Sequence, residues 1–140
     1  MDTKFSVAVH MLILISESTH PINSEQIAES VGTNSSYIRK IFALLKKSGI
    51  VDGHRGISGY SLMVSPNNLS LLQIYLAVME EENVHLLDIH QNSNDDCIVG
   101  RYIKPVLIDT FKDLEANFAI LLKRKTLASC IDDIKNKMKE

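Results

Sequence analysis

Apolar positions recur at helical spacing along most of the chain. Phe5, Ala8, Val9, Leu12, Ile13 and Ile15 stand at mixed three- and four-residue intervals and predict a helix over residues 4–18. Thr19-His20-Pro21 stops it, because a residue that precedes proline is pushed out of the helical region. Asn23, answered by Gln26 three residues on, has the form of a capping box. It opens a short helix over about 24–30 that turns Ile27, Ala28 and Val31 inward and ends at Gly32. Thr33, Asn34 and Ser35 are all capping types and start the next helix. In that helix Ile38, Ile41, Phe42 and Leu45 follow the i, i+3, i+4, i+7 template of one buried face, and Gly49 ends it.

The period then changes. Ile50-Val51 and Tyr60-Ser61-Leu62-Met63-Val64 have strand composition, and Gly53, Gly56 and Gly59 punctuate the polar stretch between them. This predicts a hairpin with a long tip, followed by a turn at Pro66-Asn67-Asn68. A fourth helix is expected over 69–79 with Leu72, Leu76 and Met79 inward, and then a polar, acidic and partly irregular stretch over 80–96. From about Cys97 to Lys125, the residues Ile103, Leu107, Phe111, Leu114, Phe118 and Leu121 are close to a heptad seam, which suits a long helix packed on a partner. Pro105 fits in its first turn or kinks it near its start. A last helix, about 127–138, carries Leu127, Ile131 and Ile134. Three parts are expected: a reading domain over 1–66, a connecting helix and acidic loop over 67–96, and a dimerisation helix with a C-terminal helix over 97–140.

Composition narrows the class. The 140 residues are 45% hydrophobic and 23% charged, the usage of an ordinary globular domain. The longest fully apolar run, Met11 to Ile15, is far short of the ~20 residues that cross a bilayer. The opening residues lack a signal-peptide pattern, and two cysteines do not make a disulfide framework, so the expected compartment is the reducing cytoplasm, with no membrane attachment.

Net charge is −2, but its distribution is uneven. Residues 1–32 carry −3, residues 33–64 carry +4, and residues 80–96 hold six acids with no Lys or Arg. Residues 33–51 carry Arg39, Lys40, Lys46 and Lys47 with no acid, which marks where a polyanion would sit.

Helix, short helix, tight turn, basic amphipathic helix and glycine-rich hairpin form, in that order, a winged helix-turn-helix. The fold class expected is mainly α with a small β-hairpin wing, plus a long C-terminal dimerisation helix. The major groove admits one helix, whose leading residues reach base edges. Here those residues are Asn34, Ser35, Ser36 and Tyr37. Arg39 and Lys40 supply a salt-dependent grip on phosphate. At the hairpin tip, Arg55 is placed for a narrow minor groove, which attracts arginine, and Ser58 lies beside it. Tyr37, taken alone, fits packing as well as contact.

The sequence resembles the bacterial winged-helix regulators typified by the iron–sulfur cluster regulator IscR and the nitric-oxide-sensing repressor NsrR. The resemblance runs over nearly the whole chain. It is carried by Ile27-Ala28-Glu29, Ser36-Tyr37-Ile38, Leu45-Lys46-Lys47-Ser48-Gly49-Ile50-Val51, Arg55-Gly56, Gly59-Tyr60-Ser61-Leu62 and Cys97-Ile98-Val99-Gly100. It implies a homodimer, probing a pseudo-palindromic operator in double-stranded DNA, with the family's recognition tyrosine at Tyr37 and its wing arginine at Arg55. Two departures stand out. Ser58-Gly59 replaces the usual Gly-Gly pair of the wing, and Arg39 stands where glutamate is common. Glutamate accepts from cytosine and arginine donates to guanine, so a different base preference is expected.

Cluster-binding members carry three cysteines after the fourth helix, whereas this chain has Cys97 alone there and Cys130 further on. A [2Fe–2S] cluster normally takes four ligands, so no cofactor is expected. Cys97, just before the long helix, is a candidate thiol switch responding to oxidants, with a structural cysteine as the alternative. The leading expectation is a DNA-binding repressor. A winged helix that binds protein instead of DNA is the alternative. No P-loop, HExxH or G-x-S-x-G is present, and an enzyme is not expected.

Overall fold

The computed structural model describes residues 2–53 and 59–140. In chain order it has α1 (Lys4–Glu17), α2 (Ser24–Val31), α3 (Ser35–Lys47), β1 (Val51–Gly53), β2 (Tyr60–Leu62), a 3-10 turn (Pro66–Asn68), α4 (Leu71–Met79), α5 (Ile98–Arg124) and α6 (Leu127–Met138). The helix starts follow local chemistry. Asn23 and Gln26 form a reciprocal capping box on α2, Ser70 and Gln73 form one on α4, and Thr126 and Ser129 form one on α6. Gly32 closes α2 at φ 86°, a left-handed conformation that glycine adopts without steric cost.

The main core gathers around α1, which packs against α2, α3, α4, α6 and β2. Met11, Leu12, Ile27, Ile38, Ile41, Leu45, Leu69 and Ile74 are fully sealed in it. Surrounded on several sides, α1 buries more than one stripe. Val7 and Met11, absent from the expected face, are buried, while Phe5, Val9 and Ile13 are half-buried. The inward set expected for α4 is corrected in the same way. Ile74, Tyr75, Ala77 and Val78 are its buried residues, and Leu72, Leu76 and Met79 are half-buried. The reason is that α4 lies between the main core and α5. Its second side, through Tyr75, meets Val84 and Leu122 in a smaller cluster.

β1 and β2 pair antiparallel, Val51 opposite Leu62 and Gly53 opposite Tyr60. The Tyr60 ring stacks on Phe42 of α3, with centroids 3.8 Å apart, which ties the hairpin root to that helix. Gly59 is required here, because a Cβ at that position would collide with Pro21.

α5 is 27 residues long with Pro105 in its interior, beyond the first turn. Leu122 is its one buried residue among those described. α6 returns to the main core. Leu71 N–H donates to the Lys125 carbonyl and Leu127 N–H to the Leu69 carbonyl, each at 2.9 Å, and Leu127 and Ile131 join the main core.

The acidic segment is clasped to α5 by Glu115, whose carboxylate accepts the backbone N–H groups of Leu86 and Leu87. His85 reinforces the clasp: Nε2 lies 2.8 Å from Asp88 Oδ1, and Nδ1 lies 3.7 Å from Glu115 Oε2. The hydrogen bond to Asp88, followed by the charges of Glu115, Asp88 and Glu81, raises the His85 pKa against a smaller opposing effect of burial. The Leu86 and Leu87 N–H groups hold Glu115 below its ordinary value. A raised histidine stabilises at low pH, and its contribution is lost as pH rises through its folded value. A lowered glutamate stabilises above its free value, and its contribution is lost as pH falls through the folded one. The clasp should therefore be tightest between the ordinary carboxylate and imidazole ranges. In an NMR titration, Asp88→Asn should bring His85 back toward its free value, and an unmoved midpoint would count against this account.

Candidate nucleic-acid interface

The start of α3 is built by Asn34. Its side-chain oxygen accepts the Tyr37 N–H at 2.8 Å, and its carbonyl accepts the Ile38 N–H at 3.3 Å. Asn34 thus serves as the cap of the helix. The N–H groups at the first two helical positions, Ser35 and Ser36, lie ahead of any intrahelical acceptor, the arrangement that binds phosphate at helix starts. Ile38, Ile41, Phe42 and Leu45 anchor one side of α3 in the core. The geometry of the helix then turns Ser36, Arg39, Lys40, Ala43, Lys46 and Lys47 outward, and all six are exposed. Tyr37 is half-buried and packs against the core, beside the α2–α3 turn at Val31, Gly32 and Thr33.

The cations of this face differ in their partners. Lys46 Nζ lies 3.6 Å from Asp52 Oδ1. Arg39 Nη1 lies 3.7 Å from Glu25 Oε1 on α2 and donates to Ser24 Oγ at 3.3 Å. Lys40 and Lys47 make no ion pair among the described residues. Exposed pairs such as these are worth little in water, so the cations remain available to phosphate. Sequence reasoning missed the Glu25–Arg39 and Asp52–Lys46 pairs. Residues on separate elements carry no spacing signal that would reveal them. The expected hairpin-tip contacts, Arg55 and Ser58, lie outside the described residues.

Cys97 is the exposed N-cap of α5, and its side chain makes no capping hydrogen bond. Cys130 is half-buried in α6. Among the described residues no helix is long and apolar enough to cross a membrane.

A family model described as Rrf2, iron-dependent transcriptional regulator, matches residues 1–133. The chain belongs to the Rrf2 family. It is 35% identical over 134 residues to YwnA of Bacillus subtilis, named as an HTH-type transcriptional regulator, covering 96% of this chain and 98% of that one. A solved structure described as a DNA-binding protein superposes with a TM-score of 0.72 at 34% identity, covering 91% of this chain and 98% of the other. IscR of T. potens shares the fold at a TM-score of 0.68 and 21% identity, over 96% of this chain and 87% of that one. The fold is the winged helix of Rrf2 regulators, mainly helical with a two-strand hairpin and a long C-terminal helix. The family description and the name of the B. subtilis relative both specify transcriptional regulation.

The family description raises the question of iron. Cys97 and Cys130 flank the two ends of α5, whose 27 residues span about 40 Å. One chain therefore cannot bring both thiols to one cluster. His85 has each ring nitrogen turned to a different carboxylate, and no group of three or more His, Cys, Asp or Glu among the described residues is placed to hold a metal. These residues do not fit an iron–sulfur cluster.

Proposed function

We propose that this Rrf2 regulator is a cytoplasmic homodimer that binds a pseudo-palindromic operator in double-stranded DNA and represses transcription. The observation that supports it most is the outward face of α3. Its capped start, the exposed Ser36, Arg39 and Lys40, and a hairpin rooted beside it make one basic reading surface on a rigid core. The apolar side chains of Leu114, Phe118 and Leu121, which share one side of α5 and are exposed, support a dimer through this helix.

Titration of duplex DNA at several salt concentrations tests the reading. Binding should weaken steeply as salt rises, because each neutralised phosphate releases counterions. Lys40→Ala should weaken binding to all sequences alike and lower the salt slope by about 1. Absence of salt-sensitive binding to any duplex would overturn the function. We further propose that oxidation of Cys97, at the start of α5, modulates binding. Wild type and Cys97→Ser should then differ after peroxide treatment, and an equal response in both would remove the idea.

A further inference from the structure

Arg39 has a more constrained setting than the other cations of α3. Its Nη1 donates to Ser24 Oγ at 3.3 Å and lies 3.7 Å from Glu25 Oε1, and the Ser24 hydroxyl donates to Glu25 Oε2 at 3.2 Å. Ser24 is 6% exposed, the buried polar residue of the described chain, so one member of this triangle is fixed to the fold. A guanidinium carries five N–H groups in one rigid plane. Held at one nitrogen, it has no partner for its Nε and Nη2 donors among the described residues, and the Arg39 side chain is 55% exposed. The carboxylate is otherwise misplaced. Glu25, on α2, brings a negative charge to the edge of a surface on which all four charged residues of α3 are positive, which opposes a polyanion.

We propose that Glu25 and Ser24 are positioning residues for Arg39, aiming the free edge of its guanidinium at one guanine in each half of the DNA site. The inference rests on the DNA-binding reading above. The chemistry is that of a planar double donor. In the major groove guanine offers two acceptors on one edge, O6 and N7, and arginine is the side chain that matches both at once. A free arginine must give up many rotamers to make that contact, whereas one already held by α2 gives up fewer. An exposed ion pair adds little to the stability of the free protein. Its effect is expected in base choice, where the interface excludes water and the electrostatic hold strengthens.

The test is selection of binding sites from a randomised duplex pool, using the full chain as wild type, Glu25→Gln, Ser24→Ala, Arg39→Lys and the Glu25→Gln/Arg39→Lys double variant. Thermal unfolding of each variant checks the fold. Wild type should select guanine at one position per half-site. Glu25→Gln should lose about tenfold of that preference while the other positions hold, and its affinity for random DNA should stay level or rise. Ser24→Ala should relax the same position. Arg39→Lys should abolish the preference, and adding Glu25→Gln to it should change nothing further there. Unchanged preference in Glu25→Gln, or equal relaxation at every position, overturns the inference and leaves the DNA reading intact. A wild type that selects no sites overturns both.

Discussion

Ile41→Ala is expected to lower the stability of the fold by about 2–5 kcal/mol. Ile41 is fully sealed on the inner side of α3, between the neighbouring core residues Ile38, Phe42 and Leu45. Truncating it removes apolar contact and leaves a cavity that a close-packed interior refills only in part. A loss of that size is a large share of the ~5–15 kcal/mol that holds a typical domain together. The same helix carries the candidate reading face, so the damage should reach function through loosening of α3. Urea unfolding of the variant beside Lys47→Ala makes the comparison. Lys47 is exposed and unpaired among the described residues, and its removal should stay within about 0.5 kcal/mol. Equal losses in the two variants would refute the assignment of this face to the core.

The second large effect concerns α5. The helix meets its own chain through Glu115, Ala119 and Leu122. Leu114 is 52% exposed, Phe118 37% and Leu121 59%, on a side of the helix away from the centre of that contact. The double variant Leu114→Glu/Phe118→Glu should therefore fold as a monomer. In a dimer, each new carboxylate would be buried without a partner, which is strongly unfavourable. Sedimentation should show one copy in place of two. Affinity for a two-half-site duplex should fall by about 10²–10⁴, because joining two binding modules adds that much without any new contact. A double variant that still sediments as a dimer, or a monomeric wild type, would contradict the assembly.

Much of the stretch from α2 to the hairpin is legible in the sequence because its signals are local. A cap acts on the N–H two or three residues later, so Asn23 with Gln26 and Asn34 ahead of Tyr37 could be found by spacing alone. Gly32 sits in the left-handed conformation its place at the end of α2 requires. The buried face of α3 follows from its helical period, and the hairpin from a change of period bounded by glycines. The resemblance to winged-helix regulators rests on the same short stretches, and the family match over residues 1–133 agrees with it.

The tertiary structure decided what depends on elements far apart in the chain. A helix touched on one side shows its buried stripe in the sequence, whereas α1 and α4 are touched on several sides and do not. That is why Val7, Met11 and Ile74 escaped the pattern. The return of α6 to the main core is set by its pairing beside α4, and the clasp of the acidic segment by one carboxylate 28 residues beyond Leu87. Arg39 was visible as a cation, but its partners Ser24 and Glu25 were not. Sequence by itself determined the elements and the charge each one carries, since these depend on neighbours within a turn or two. Only the packing of helix on helix decided which of those charges meet, since that contact depends on the relative placement of surfaces that no local spacing encodes.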